Sequence, residues 1–179
     1  MISMIIMDKH TAIVIVASIV IAIPFVYSGW NIYALEQLQI KGTDEDRFRF
    51  FDMINGGTVE ICNPMPFFVN FQEYNIVIFF HEDSKGTYSI DPNTFSPFSS
   101  KIVHGTFSSE TFSEAQYLAL HFDGMFSGSA PERIDPRQLK IITQVEAPII
   151  GIIPYSITTQ FSSLFFWDEL NGKIGEYNC

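Results

Sequence analysis

The sequence predicts a single, mainly β domain carried behind one N-terminal transmembrane helix. Three observations lead there. Residues 11–35 contain no charged side chain. Behind them, short apolar and aromatic runs alternate with Gly, Pro, Asn and Asp turn signals, the pattern of a β-sandwich or barrel. Only residues 111–122 repeat apolar side chains at helical spacing.

The N-terminal run comes first. Residues 11–28 (TAIVIVASIVIAIPFVYS) are nearly all Ile, Val and Ala, and about 20 such residues in a helix match a hydrocarbon core of ~30 Å. Tyr27, Trp30 and Tyr33 follow where an aromatic belt sits, and Pro24 is tolerated better in a membrane helix than in a soluble one. A cleaved signal peptide calls for a shorter apolar core and small residues before the cut. Phe25, Val26, Tyr27 and Ser28 are a poor match, so an uncleaved signal-anchor is expected. The chain then divides into a short flank (1–10), an anchor in contact with the lipid bilayer (11–33), a β domain (34–166) and a polar tail (167–179). Lys9 and Lys41 balance the two flanks. The short leader and long acidic domain place the N-terminus inside and the domain on the extracytoplasmic side of a cell membrane, in a single pass.

Composition narrows the partners. The 179 residues, less the anchor, leave about 140, the size of one domain with one core. Most of the 18 Phe and 7 Tyr lie in that part and suit a packed interior. Twenty acidic against ten basic residues give a net charge of −10, and the basic residues form no stripe, so nucleic acid is excluded as a partner. The same charge is repelled by anionic headgroups, which favours a domain held off the lipid surface. Cys62 and Cys179 leave two readings open: free thiols, or a bridge tying the tail to the core in an oxidising compartment.

Along the domain, residues 34–41 pass from the end of the anchor helix into a first strand, and 42–46 form an acidic turn. Residues 47–53 (RFRFFDM) alternate charged and aromatic side chains and predict a strand, turned at Asn55-Gly56-Gly57 into a second over 58–62. Asn63-Pro64 interrupts the ladder. Strands follow over 67–71, 74–81, 86–90 and 101–107, with turns at 82–86 and 91–93. The helix at 111–122 presents Phe112, Ala115, Leu118, Ala119 and Phe122 on one face and is capped at Thr111 or Ser113. Residues 124–136 predict an exposed loop, and 138–146 and 152–166 two final strands. Residues 147–154 (APIIGIIP) are too short and broken to span a membrane and are expected as a core turn. Phe79 and Phe122 are expected in the core.

Catalytic patterns are missing. Gly124-Met125-Phe126-Ser127-Gly128 lacks the spacing of a nucleophile elbow. Phosphate-binding glycine loops are absent. His10, His81, His104 and His121 form no close metal-ligand pair. His81-Glu82-Asp83 and Asp44-Glu45-Asp46 have the form of solvated turns, the second with at most a weak calcium contact, and His121 with Asp123 is read as ending the helix, the His against its dipole. No catalytic, cofactor-binding or metal residue is expected, and the chain is not expected to be an enzyme.

Glu60-Ile61-Cys62-Asn63-Pro64, then Phe67-Phe68-Val69 and Tyr74-Asn75-Ile76-Val77-Ile78, carry an order of signals that resembles the group 2 late-embryogenesis-abundant family, with its water-stress WHy domain. The likeness covers roughly residues 35–166 and extends to the return at 86–90, the stretch 105–109 before the helix, and Pro148-Ile149-Ile150-Gly151. It implies a seven-stranded immunoglobulin- or fibronectin-like β-sandwich with one short helix, no enzymatic activity, and a stress-protective or envelope-associated role toward protein clients. Pro66, the loop at 124–136 and the tail have no counterpart in that pattern. The alternatives are a structural component of a cell-surface assembly, such as a filament stator or surface-layer anchor, and a small-ligand receptor. An exposed edge strand or an aromatic patch marks the first; a polar-lined pocket marks the second.

Overall fold

A long run of Ile, Val and Ala satisfies its backbone most cheaply as helix, and the chain opens with α1 (Lys9–Leu35), 27 residues or about 40 Å long. The computed structural model describes residues 8–43, 48–173 and 179; Asp44, Glu45 and Asp46 lie outside the described residues. Through Tyr27 the helix stands almost bare of protein, whereas Ser28, Asn31, Ala34 and Leu35 are buried in the domain. The last two turns of the apolar helix are therefore part of the domain core.

Behind α1 follow β1 (Gln39–Gly42), α2 (Arg49–Ile54), β2 (Thr58–Asn63), β3 (Val69–Phe71), β4 (Glu73–Phe80), β5 (Asp83–Ile90), β6 (Asn93–Phe95), β7 (Ser99–Ser108), α3 (Phe112–Phe126), β8 (Leu139–Glu146), β9 (Ser156–Ser162) and α4 (Ser163–Leu170). Seven strands make one antiparallel sheet in the order β1-β2-β7-β5-β4-β8-β9, with β3 and β6 as a separate ribbon. β7 pairs with β2 through residues 99–104 and with β5 through 105–108. That stagger shears the sheet and curls it. Gly105 sits at the changeover, where a Cβ would strike the ring of Tyr88, so close packing there requires glycine.

Alternation decides what each face does. Ile40, Val59, Ile61, Val103, Tyr88, Ile90, Ile76, Ile78 and Ile141 point to one side and are buried. Opposite them, Asn75, Ser89, Gln144 and Thr158 line up in register on the other side. The domain is mainly β, as expected, but helices close its apolar face: α2, α3 and α4 supply Phe50, Met53, Phe122, Phe166 and Leu170 to the same core. The strands pair into one curled sheet with a helical cover instead of two facing sheets.

The expected single helix is corrected to three α-helices among the described residues of the domain. At α2, where a strand was expected, Phe50, Met53 and Ile54 fall at helical spacing on one buried face, and a carboxylate from α3 caps the helix start. α3 continues to Phe126, into the expected loop, and stops where Gly128 takes φ 74° and Ser129 and Ala130 donate to Gly124 O. The last expected strand ends at Ser162, whose hydroxyl accepts from Phe165 N at 3.2 Å and starts α4. Trp167 and Leu170, in the stretch read as a polar tail, are buried. Phe79 stands half-buried on the outward face opposite Lys140, outside the core cluster.

Cys62 and Cys179 are bridged across 117 residues, with Cα atoms 5.9 Å apart. Asn63 ends β2 by accepting from Met65 N and donating to Phe67 O and Ser96 O, which ties the β3–β6 ribbon to the sheet. Replacing the fully buried Phe122 by Ala should lower unfolding free energy by about 3–5 kcal/mol, and Phe79→Ala by well under half of that. Urea unfolding of the two variants in detergent checks this; equal losses would contradict the assignment of Phe79 to the outer face.

Candidate functional site: the anchor junction

Where α1 leaves its apolar stretch, four side chains bind it to the domain. Asn31 uses both ends of its amide on one residue: Nδ2 donates to Asn70 O at 2.8 Å and Oδ1 accepts from Asn70 N at 2.8 Å. The edge of β3 is thereby paired to a side chain of the helix as it would be to another strand. Ser28 Oγ donates to Pro24 O at 2.8 Å and accepts from Ile150 N at 2.8 Å, so one hydroxyl serves the helix and the segment after β8. Trp30 stacks on Phe67 with centroids 5.9 Å apart, and Asn70 Nδ2 donates to Tyr27 Oη at 3.3 Å.

The segment bound at Ser28 was expected as a core turn, and the structure turns it outward. Residues 147–155 prolong the β8–β9 hairpin: Ala147 N donates to Tyr155 O, Ile149 N to Ile153 O, and Ile153 N back to Ile149 O. Ile152 is 78% exposed, Ile153 46% and Tyr155 42%.

Deeper in, two carboxylates hold the helical layer. Asp123 is fully buried and accepts from Phe51 N at 2.8 Å, Phe50 N at 3.4 Å and Trp167 Nε1 at 2.7 Å, joining α3 to the starts of α2 and to α4. Burial pushes its pKa up to about 6, against the pull of these donors and with a further push from Asp52. Burial likewise lifts Glu169 to about 7, opposed by a hydrogen bond with the Ile40 backbone. Tyr74, buried beside Glu169 and Thr143, is held above the ordinary phenol range, first by burial and then by that carboxylate. Asp123 had been read as a helix end. Its place four residues beyond Ala119 and eight beyond Ala115, on the apolar stripe, is the signal that marks it as buried.

The remaining candidates do not converge. His81 and Asp83 line a cavity of about 420 Å³ with Phe80, Lys85, Glu114 and Tyr117. Lys85 there is committed to Glu114 at 3.1 Å and to Asp83 at 4.0 Å. His104 is exposed on β7, and His121 Nδ1 lies 2.9 Å from Tyr117 O on the outer side of α3. Among the described residues, no three His, Cys, Asp or Glu side chains stand close enough together to hold a metal ion.

The buried acids make stability depend on pH with a definite sign. Their folded pKa values lie above the ordinary carboxylate values of 3.8 and 4.5, so the folded state binds protons more tightly than the unfolded chain. The resulting stabilisation is complete below about pH 4 and is lost as pH rises through about 6 and 7. For Asp123 alone this amounts to on the order of 2–3 kcal/mol. Denaturant unfolding at pH 5 and pH 8 should show the lower stability at pH 8; equal stability would contradict it. No protein-family model matches the chain, and no curated protein matches it either.

Proposed function

We propose that this chain is a single-pass, membrane-anchored, non-catalytic domain displayed on the extracytoplasmic side of a membrane, where it has an envelope-associated binding role. One observation carries the reading. α1 is long and apolar enough to cross a bilayer, is bare of protein over the crossing length, and enters the domain core without an intervening linker. A soluble core helix would be covered along its length.

The Cys62–Cys179 bridge supports the side of the membrane. Cytosolic thiols are kept reduced, whereas a bridge that closes over a hundred residues persists in the envelope or outside it. The stress-protective role implied by the late-embryogenesis resemblance shares this anatomy; the bridge favours the envelope-associated form of it.

A second reading, a structural component of a surface assembly, is favoured by β9. It is the last strand of the sheet, its residues are exposed or half-buried, and it carries no charge from Ser156 to Ser162. Edges are ordinarily blunted with charge, proline or a bulge; an uncharged edge offers its backbone to a partner strand.

In a Cys62→Ser variant, Cys179 is a free, exposed thiol. On intact cells it should react with a membrane-impermeant maleimide without lysis. Labelling only after lysis would place the domain inside and overturn the proposed side. For the second reading, Thr158→Lys with Gln160→Lys should abolish higher-order complexes captured by cross-linking the native chain; complexes of unchanged size would exclude strand addition at β9.

A further inference from the structure

We infer that the hairpin tip at residues 148–155 is a second membrane contact: it inserts into the bilayer interface beside α1, so that the domain meets lipid at two places. The inference rests on the anchor reading and goes beyond it. Four independent observations carry it.

Position comes first. Ile150 N donates to Ser28 Oγ, so the tip is fastened to α1 at a known level. Counting about 20 helical residues from Thr11 to cross ~30 Å of hydrocarbon ends near Trp30. Ser28 lies two residues inside that limit, which puts the tip at the boundary between acyl chains and headgroups.

Second, the tip is apolar and exposed where a water-facing loop has reason to be polar. Ile152, Ile153 and Tyr155 are uncovered by protein, and no charged residue occurs from Ala147 to Trp167. None of the charge that makes up the net −10 lies on the tip itself, so the expected repulsion from headgroups does not act on it.

Third, most of the tip's backbone donors are satisfied within the protein: five of the seven N–H groups from Ala147 to Tyr155 are paired, those of Ala147, Ile149, Ile152 and Ile153 within the hairpin and that of Ile150 on Ser28, while Pro148 and Pro154 have no N–H to satisfy.

Fourth, the turn keeps an apolar residue at a conformational cost. Ile150 and Gly151 have φ of 50° and 80°, and Ile152 N bonds to Ile149 O, as in a type I′ turn. Asn or Gly ordinarily fills the first central position, and a β-branched residue at positive φ is strained. An isoleucine held there argues that its side chain is used.

The tip's partner is the hydrocarbon boundary of a phospholipid bilayer, contacted without charge and therefore without dependence on anionic lipid. The test uses the full chain, with its native bridge intact, in phosphatidylcholine vesicles. Ile152→Cys, Val20→Cys and Ile102→Cys variants each carry one nitroxide on the only free thiol. Relaxation by oxygen is compared with relaxation by a water-soluble nickel chelate. The label at 152 should favour oxygen severalfold, as the label at 20 in the anchor does, while the label at 102, 62% exposed in the native protein on the outer face of β7, favours nickel. A label at 152 that behaves like the one at 102 while the one at 20 remains in lipid overturns the second contact and leaves the anchor standing. Nickel access at 20 overturns the anchor reading itself, and this inference with it.

Discussion

The amide of Asn31 is the constraint on which the arrangement depends. It satisfies both the N–H and the C=O of Asn70 from inside a helix that is otherwise apolar. Buried backbone groups left without partners cost about 1–3 kcal/mol each, so β3 cannot leave the helix cheaply, nor the helix rotate to show β3 another face. Ser28 does the same for the β8–β9 hairpin one turn earlier. Together they convert what would be a tether into a rigid junction: the direction in which the helix leaves the domain is set by these two polar side chains at the end of the uncharged stretch.

A second polar centre, Asp123, organises the opposite side. Its carboxylate gathers two backbone N–H groups of α2 and the indole of Trp167 in α4, so three short helices that bury few residues each behave as one layer over the sheet. α2 has six residues and no side-chain cap of its own; isolated helices of that length do not persist in water. Burial of the acid costs free energy as it ionises, which explains why its pKa rises although three donors bind it. The bridge from Cys62 to Cys179 adds a covalent restraint near the far edge strand, β1.

The long apolar helix was legible in the sequence because its length and absence of charge speak for one element. The sheet was legible wherever one face alternates cleanly, as in Tyr74, Ile76 and Ile78 against Asn75 and Val77. The missing elements failed for identifiable reasons. In residues 49–54 Phe50, Met53 and Ile54 carry the helical period, but the alternation just before them was extended through the segment, and the group that caps the helix, Asp123, lies 72 residues from Phe51. Ser162 reads equally as strand or helix cap until Phe165 N is seen on its hydroxyl. The hairpin tip was misplaced because apolar character alone reads as core; its exposed position depends on Ser28, and no local pattern links residues 28 and 150. Asn31 carries a weak signal of its own, an amide amid apolar and aromatic neighbours, but its partner is invisible in one dimension.

Rigid coupling of anchor and domain is the central claim, and a distance distribution reads it most directly. Nitroxides at Val20→Cys in the helix and Ile102→Cys on β7, with the native bridge intact, can be measured by double electron–electron resonance in a bilayer. A single narrow distribution that broadens on Asn31→Ala is the result this account predicts. A broad distribution in the otherwise native chain, of the kind a flexible tether gives, would contradict it.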